Sequence, residues 1–233
     1  ANVYGCTDTA FQQVTIFATP DLNVSASVNA GCSPLLVTFA NETSFADSYV
    51  WHYGDATSSA ASATQHAHTF TNNGTEAQEF NVVMVASTAE GCSAQTNIVI
   101  QVYPAAEASF ESPGNHCSPV SVGFINTSAN GATYQWDFSN GVQSIMENPM
   151  VYFSNGSDTA QVFDVSLLVT SAYGCSAEFN APLTVYPVPN VSFLLGENNA
   201  CDPGPLTIYN STQGASSYIW NYGDGTSSNT LLS

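Results

Sequence analysis

The stretch "YVWHYGDA", residues 49–56, decides how the rest of the sequence is interpreted, because it occurs three times. It recurs as "YQWDFSNG" at residues 134–141 and as "YIWNYGDG" at residues 218–225. Its tryptophans, Trp51, Trp136 and Trp220, are separated by 85 and 84 residues. Aromatic residues two positions apart share one face of a strand, and the small polar residues that follow favour a turn. The stretch therefore predicts a core strand and a turn, with the three tryptophans in the core.

A catalytic role for this stretch is incompatible with the way its copies differ. The residue after the tryptophan is His52, Asp137 or Asn221, and the acid Asp55 is replaced by Asn140 in the second copy. An amide cannot transfer protons in place of a carboxylate. The sequence also lacks the G-x-S-x-G motif of a nucleophilic serine. We predict that the protein is not an enzyme.

Further markers keep the same period and define the domains. They are two cysteine sets and a proline set: Cys32, Cys117 and Cys201; Cys6, Cys92 and Cys175; Pro20, Pro104 and Pro187. Residues 20–103 and 104–187 are predicted to be complete repeats. Residues 1–19 are interpreted as the last strand or strands of a preceding repeat, and residues 188–233 as the first half of a further one. We expect the chain to be a segment of a longer array.

Each copy has the pattern of a β-sandwich. Runs rich in Val, Ile, Thr and aromatic residues alternate with Gly, Asn, Ser and Pro clusters; in the first copy they are "LNVSASV", "LLVTFAN", "SYVWHY", "QHAHTFT", "EFNVVMVAS" and "TNIVIQVY". About seven strands in about 84 residues are typical of an immunoglobulin-like sandwich. The copies are joined by Tyr-Pro without a Gly/Ser linker. This predicts an all-β protein of tandem sandwiches arranged as a rod.

The segments "CSPLLVTFANETS", "YVWHYGDA", "HAHTF" and "VVMVASTAEGCS" resemble the PKD domain, an immunoglobulin-like module with a Trp-Asp-Phe-Gly-Asp-Gly motif. The third copy is nearest to that motif, with Asn221 and Tyr222 as substitutions, and the second departs from it at Ser139 and Asn140. The "GCSP" and "YGC" cysteines resemble those in PKD arrays of very large secreted Bacteroidota proteins, including gliding-motility adhesins. This resemblance implies roles in spacing and protein contacts.

The charge balance excludes several functions. The chain has no Lys or Arg and 18 Asp plus Glu, a net charge of −18. Nucleic acids and anionic membrane surfaces are bound through cationic side chains, so neither is an expected partner. No apolar run approaches the roughly 20 residues that span a bilayer, so no membrane insertion is expected. Trypsin-like proteases have no cleavage site in such a chain, which suits an extracellular protein.

The cysteine positions predict one disulfide per repeat, Cys32–Cys92 and Cys117–Cys175. Each would close a loop near 60 residues and stabilise the fold by about 4 kcal/mol. A zinc site is the alternative, but the sequence has no C-x₂₋₄-C pair. Disulfides imply secretion through an oxidising compartment. Cys6 and Cys201 would then pair outside these residues.

Other candidate sites are weaker. His66 and His68 share a strand face and could bridge a metal, although surface histidines are the favoured interpretation. No EF-hand calcium loop occurs, so no cofactor is predicted and divalent cations are expected only to screen the negative charge. Glycosylation candidates are the Asn-x-Ser/Thr triplets and two Asp-Thr-Ala triplets: Asn41, Asn73, Asn126, Asn155, Asn210, Thr9 and Thr159. The set at 41, 126 and 210 is better explained by a turn asparagine after the second strand.

These patterns favour a non-enzymatic spacer in a long extracellular adhesin or cell-surface filament. Its partners would be neighbouring repeats of the same chain, with surface polysaccharide or other surface proteins as further candidates. One alternative is a carbohydrate- or protein-binding module of a secreted hydrolase, which needs an exposed aromatic strip that uses Tyr134, Tyr152 or Tyr218. The other is a subunit that polymerises by strand exchange.

Overall fold

The computed structural model describes residues 1–111, 114–196 and 207–231, and their regular secondary structure is entirely β. The prediction of an all-β protein is confirmed. The chain divides into two compact units, Ala1–Ala105 and Ala106–Ser233. Among the described residues, no helix has the length and apolar character that crossing a membrane requires.

The first repeat contains eight strands in two antiparallel-rich sheets. They are β1 (Val24–Ala26), β2 (Ala30–Cys32), β3 (Leu35–Asn41), β4 (Ser48–His52), β5 (Ser58–Ser59), β6 (Gln65–Phe70), β7 (Gln78–Ser87) and β8 (Ser93–Tyr103). One sheet has the order β1-β3-β6, and the other has the order β2-β8-β7-β4-β5. Six strands coincide with the predicted runs, and the two short strands β2 and β5 have no hydrophobic run of their own.

The core of the first repeat lies between these sheets. Alternate residues of β7, from Phe80 to Ala86, are buried, as the period-2 pattern requires. Trp51 on β4 is 1% exposed and packs on Phe39 of the opposite sheet with ring centroids 5.4 Å apart. Its predicted place in the core is observed. Tyr53, two residues later, is buried on the same side.

The second repeat has the same architecture. Its strands are β9 (Asn115–Cys117), β10 (Val120–Gly123), β11 (Thr133–Asp137), β12 (Gln143–Ser144), β13 (Met150–Phe153), β14 (Gln161–Thr170) and β15 (Ser176–Tyr186). The larger sheet has the order β12-β11-β14-β15-β9, and β10 pairs with β13. Trp136 is buried and contacts Phe110 and Phe124 at 5.1 and 5.7 Å. The sandwich therefore repeats with its tryptophan in place.

The third copy is described in part as two strand pairs. β16 (Phe193–Leu195) pairs with β17 (Ile208–Asn210), and β18 (Ser217–Asn221) pairs with β19 (Ser227–Leu231). Trp220 is half-buried and packs edge-on against Phe193 at 5.3 Å. Its environment is thus less enclosed than that of the other two tryptophans.

Residues 1–19 form no strand, in contrast to the predicted strand or strands of a preceding repeat. A strand is defined by its hydrogen-bonded neighbour, and these residues pair with none. Their one regular feature is a turn in which Asn2 N donates to Cys6 O at 2.9 Å. The same turn leads to Cys92 and to Cys175, where the equivalent distances are both 2.8 Å.

Candidate functional site

The turn after each tryptophan strand is closed by the same backbone hydrogen bond. Tyr53 N donates to Thr57 O at 3.1 Å, and the equivalent bonds from Phe138 and Tyr222 measure 3.2 Å. Gly54, at φ 82°, would place a Cβ 2.9 Å from backbone atoms of Asn81, so a side chain there would clash. The turn predicted from the Gly-Asp pair is thus formed.

The acid of the quoted stretch is a turn residue. Asp55 Oδ1 accepts from Thr57 N at 2.9 Å, and Asp224 Oδ1 accepts from Thr226 N at 2.8 Å. In the second repeat Asn140 Oδ1 accepts from Val142 N at 3.0 Å. Only an acceptor oxygen is needed, and both carboxylates and amides supply one. This explains why Asn can stand where the other copies have Asp.

In the first repeat Asp55 makes an additional contact to histidine. Its Oδ2 lies 2.7 Å from His68 Nε2, and the imidazole stacks on Tyr53 with centroids 3.8 Å apart and an interplanar angle of 2°. Burial alone would raise the pKa of Asp55, but bonds from Thr57 and His68 outweigh it and lower the pKa. The second repeat has Val151 at the position equivalent to His68. The equivalence follows from the sheet register, in which Val151 pairs with Val122 as His68 pairs with Val37. Of the two complete repeats, only the first therefore has this contact.

His66 corrects the prediction of a surface histidine. It points inward against Trp51, with ring centroids 4.6 Å apart, and against Phe39 at 5.6 Å. Both ring nitrogens are buried without a hydrogen-bond partner. Burial lowers the pKa of His66, and the neighbouring His68 lowers it further. The aromatic surroundings thus disfavour the charged form of this imidazole.

A buried asparagine that the sequence did not single out holds one end of the first repeat. Asn72 is 4% exposed, and its Nδ2 donates to Val102 O and Glu76 O, both at 2.7 Å. Its backbone N donates to Ser33 Oγ at 2.9 Å, and its Oδ1 accepts from Gly74 N at 2.9 Å. The side chain thus joins the segment after β6 to the end of β8.

The second repeat has the same arrangement around Asn155. Its Nδ2 donates to Val185 O at 2.8 Å and to Thr159 O at 2.7 Å, and its backbone N donates to Ser118 Oγ at 2.8 Å. We call Asn72 with Ser33, and Asn155 with Ser118, the Asn–Ser clasp. A signal existed in the sequence, because both copies have a "CSP" serine and an Asn one or two residues before a Gly, Asn72 before Gly74 and Asn155 before Gly156.

The clasp also corrects a glycosylation candidate. Asn155 is 4% exposed and both hydrogens of its amide are donated to carbonyls, so its amide nitrogen is not accessible to a glycan. The other repeated set makes Asx turns, with Oδ1 accepting from the N–H two residues later: Asn41 to Thr43 at 3.1 Å, Asn126 to Ser128 at 2.9 Å, and Asn210 to Thr212 at 3.0 Å. Asn73, Thr9 and Thr159 are exposed, and their glycosylation stays a prediction.

The predicted disulfides Cys32–Cys92 and Cys117–Cys175 are not formed. Cys92 and Cys117 have free thiols, whereas Cys32 and Cys175 are disulfide-bonded. The physical reason is the position of β2 and β9. Each is a parallel strand beside the last residues of the repeat, pairing Cys32 with Tyr103 and Cys117 with Tyr186.

The two cysteines of one repeat therefore lie at opposite ends of the sandwich. Cys92 immediately precedes β8, and Cys32 lies beside the last residue of that 11-residue strand. At about 3.3 Å per residue, their separation is on the order of 30 Å, whereas disulfide-bonded Cα atoms lie within about 7 Å. We call the end that holds Cys32 or Cys117 the trailing end and the end that holds Cys92 or Cys175 the leading end.

The aromatic strip suggested for ligand binding is not assembled in the second repeat. Tyr134 is half-buried and packs on the core beside Trp136, whereas Tyr152 is 60% exposed on the other sheet. Tyr218, the third-copy equivalent of Tyr134, is half-buried. These tyrosines therefore do not form one exposed surface.

A shallow cleft of about 570 Å³ lies instead on the outer face of the large sheet of the second repeat. Its polar lining includes Gln135, Asp137, Gln143 and Glu178. Asp137 accepts from Gln143 Nε2 at 3.0 Å, and this bond with that from Ser139 N lowers the pKa of Asp137. Within the described residues, no three His, Cys, Asp or Glu side chains cluster closely enough to hold a metal ion.

Solved structures similar to this chain include two bacterial PKD domains. The PKD1 domain of Vibrio anguillarum Epp is 30% identical over 36% of this chain and 96% of that domain, with a TM-score of 0.29. The PKD1 domain of the Vibrio cholerae metalloprotease PrtV is 28% identical over 35% of this chain and 95% of that domain, with a TM-score of 0.28. Each repeat has a PKD-like, immunoglobulin-type fold.

Other similar structures are distant in sequence. The cadherin domains 3–6 of protocadherin gamma B2 are 9% identical over 89% of this chain and 65% of theirs, with a TM-score of 0.35. No protein-family model matches the chain, and no curated protein is significantly similar to it in sequence. Three features recur in the two complete PKD-like repeats. They are the strand that carries the tryptophan, the Asx turn that follows this strand, and the Asn–Ser clasp.

Proposed function

We propose that this chain is a non-enzymatic spacer segment of a large extracellular protein, of the adhesin type found on Bacteroidota cells. The observation that carries the proposal is the structural use of two repeated positions of the motif, the tryptophan and the turn residue four positions later. Trp51 and Trp136 fill the cores, and the position of Asp55 and Asn140 caps a turn. Both positions keep a structural role from copy to copy, as expected of a repeat that serves as a scaffold.

Two further observations support an extracellular location. Disulfide-bonded cysteines are found mainly in proteins of oxidising compartments. The absence of Lys and Arg leaves trypsin-like proteases without a cleavage site. Exposure to such proteases and to an oxidising medium is typical of cell-surface proteins, which suits an adhesin or filament.

Small-angle X-ray scattering of residues 1–233 tests the spacer role. A complete repeat with 11-residue strands adds about 30 to 40 Å of length, so an extended chain is expected to have a radius of gyration near 30 Å. A single compact body of 233 residues would give about 17 Å. The smaller value would contradict a spacer.

A second candidate function is carbohydrate binding at the cleft of the second repeat. Amides and carboxylates such as Gln135, Gln143 and Glu178 are suited to hydrogen-bonding hydroxyl groups. A glycan array probed with the wild-type chain and with the Gln135→Ala variant tests this. Retention that is lost in the variant would support a binding module, and absence of retention would remove that function.

A further inference from the structure

We propose that Asn140 is a site of spontaneous chemical modification, at which attack by the backbone nitrogen of Gly141 converts the side-chain amide to a carboxylate that keeps the turn. The product is an aspartate at the position where the first and third copies already have Asp55 and Asp224. The inference uses contacts within one repeat and does not depend on the spacer function.

The sequence offers this reaction at four places, because an asparagine amide is attacked most readily when glycine follows it. Glycine has no side chain to hinder the approach of its nitrogen, and its backbone adopts conformations that other residues avoid. Asparagine is accordingly one of the residues that limit the thermal lifetime of proteins. The four pairs are Asn73-Gly74, Asn130-Gly131, Asn140-Gly141 and Asn155-Gly156.

At Asn140 the turn holds the reacting groups together. Oδ1 accepts from Val142 N at 3.0 Å, and the ring closed by this bond contains Gly141 N, so the amide carbon is kept near that nitrogen. The same N–H stabilises the negative charge that develops on Oδ1 during the attack. Gly141 lies at φ 84°, and apart from its chain neighbours no atom lies within 4 Å of a Cβ placed there. Among the described residues, Gly141 N has no hydrogen-bond acceptor.

The leaving group of Asn140 is weakly held. Its Nδ2 donates to Tyr152 O at 3.3 Å, which is longer than the usual N–H···O distance of about 2.9–3.0 Å. Asn140 is also partly exposed, so water reaches the amide and the ring that forms from it. Departure of ammonia therefore disrupts little of the surrounding structure.

Asn155 is the matched comparison within the same repeat. Glycine follows it too, and its Oδ1 accepts from Ser157 N at 2.9 Å in an equivalent Asx turn. Its Nδ2, however, donates to Thr159 O and Val185 O at 2.7 and 2.8 Å, and the residue is 4% exposed. Both bonds must break before ammonia can leave, which corresponds to a rate lower by a factor of about 5 to 150.

The clasp protects the pair in the first repeat. Asn73 is exposed, but the nitrogen that would attack it belongs to Gly74. Gly74 N donates to Asn72 Oδ1 at 2.9 Å. The nucleophile is therefore engaged in a hydrogen bond that the reaction would have to break.

The backbone of the fourth pair is packed against the core. Asn130 lies at φ 56°, and a Cβ on Gly131 would lie 2.7 Å from Val169 Cγ1. Val169 is fully buried, so closing a ring at this pair requires packed atoms to shift. An Asx turn, a partly exposed amide and an unengaged glycine nitrogen are described together at Asn140.

The reaction needs water alone and involves no oxidation. Gly141 N loses its proton to the solvent and attacks Asn140 Cγ, and the Cγ–Nδ2 bond breaks as ammonia leaves with a proton from water. The five-membered succinimide is then hydrolysed at one of its two carbonyls. Breaking the bond between Cγ and nitrogen gives aspartate, and breaking the main-chain bond gives isoaspartate. The net change is the exchange of one water for one ammonia.

The aspartate product fits the turn. Asp55 Oδ1 accepts from Thr57 N at 2.9 Å and Asp224 Oδ1 from Thr226 N at 2.8 Å, so a carboxylate at position 140 can accept from Val142 N in the same way. Isoaspartate lengthens the main chain by one carbon and does not reproduce this geometry. The fold therefore tolerates the aspartate better than the isoaspartate.

Mass spectrometry of the native chain tests the site. Residues 1–233 are incubated in mildly alkaline water enriched in oxygen-18 and then cleaved after Asp and Glu, which separates the four asparagines into peptides 56–76, 112–137, 138–147 and 148–158. We expect oxygen-18 uptake in 138–147 to exceed that in 148–158 by about 5- to 150-fold. Conversion to aspartate also divides 138–147 after residue 140, whereas isoaspartate leaves it whole.

The urea-unfolded chain is the control, because all four pairs are equally accessible in it and should take up oxygen-18 at similar rates. In the native chain, a smaller ratio between the two peptides would overturn the proposal. Uptake in 56–76 or 112–137 that equals uptake in 138–147 would do the same, as would reaction of Asn140 only after unfolding.

Two matched variants test whether the turn accepts the product. Asn140→Asp should leave the urea midpoint of unfolding unchanged, and Asn155→Asp should lower it, because a buried carboxylate cannot donate to Thr159 O and Val185 O. An equal loss in both variants would show that the turn rejects a carboxylate and would refute the proposal. Scattering tests the spacer role separately, so the two failures are distinguishable.

Discussion

Replacing the buried asparagine of the first clasp should destabilise that repeat far more than replacing its exposed neighbour. Asn72→Ala removes two donated hydrogen bonds, to Val102 O and Glu76 O, and one accepted from Gly74 N. Asn73 is adjacent in sequence and exposed, so Asn73→Ala is the matched control.

The magnitude follows from the burial of the groups left unpaired. Val102 is fully buried, and a buried carbonyl without a partner costs about 1–3 kcal/mol. Water can replace the asparagine at the more exposed Glu76 and Gly74, where each lost bond costs about 0.5–1.5 kcal/mol. We expect Asn72→Ala to lower the free energy of unfolding by about 2–4 kcal/mol, and Asn73→Ala by less than about 0.5 kcal/mol.

Hydrogen exchange can measure this within one molecule. Amides of β7 and β8 report on the first repeat, and those of β14 and β15 on the second, which is unchanged and serves as the reference. Since 1.36 kcal/mol is a factor of ten, the variant should accelerate exchange in β7 and β8 by about 30- to 900-fold. Equal exchange in the Asn72→Ala and Asn73→Ala chains would refute a structural role for the clasp.

The remaining predictions concern charge and the Asx turn. Asp55→Asn should cost less than about 0.5 kcal/mol in urea unfolding because the acceptor is retained, while Asp55→Ala should cost about 1–2 kcal/mol; equal effects would contradict the turn role. The pKa of His66 is lowered in the folded state, so the unfolded chain binds its proton first and stability should fall as the pH drops below 6.5; thermal melts of His66→Val should lose that part of the decline. Raising NaCl from about 20 to 500 mM should raise the unfolding midpoint, since screening acts on a net charge of −18; a lower midpoint would show that attractive pairs dominate.

Strands in which buried and exposed side chains alternate were predictable from the sequence. Short strands that form only because they pair with a neighbouring strand were not. Trp51 and Tyr53 were assigned to one buried face because their spacing alone requires it. β2 contains only Ala30, Gly31 and Cys32, and no hydrophobic pattern marks it. Its position beside Tyr103 is set by tertiary pairing, so the end of the sandwich that holds the cysteine was not predictable from sequence.

The same limit applies to the histidines and the clasp. A polar residue on a strand is ordinarily assigned to the surface, and only the packing of Trp51 and Phe39 shows that His66 faces inward. Asn72 precedes Asn-Gly, which local rules assign to a turn. Its bond to Val102 spans 30 residues, and no local rule extends over that distance.

The clasp also explains how a chain without Lys or Arg closes the ends of its sandwiches. The carbonyls of Val102 and Val185 are on fully buried residues and require donors. A cationic donor would carry a charge into a low-dielectric region and would need an anionic partner there. Asn72 and Asn155 supply two N–H groups each without a charge. Neutral amides thus supply the donors that cationic side chains supply in the ion pairs of other proteins. Asn72 and Asn155 satisfy the buried carbonyls near Cys32 and Cys117 without any Lys or Arg side chain.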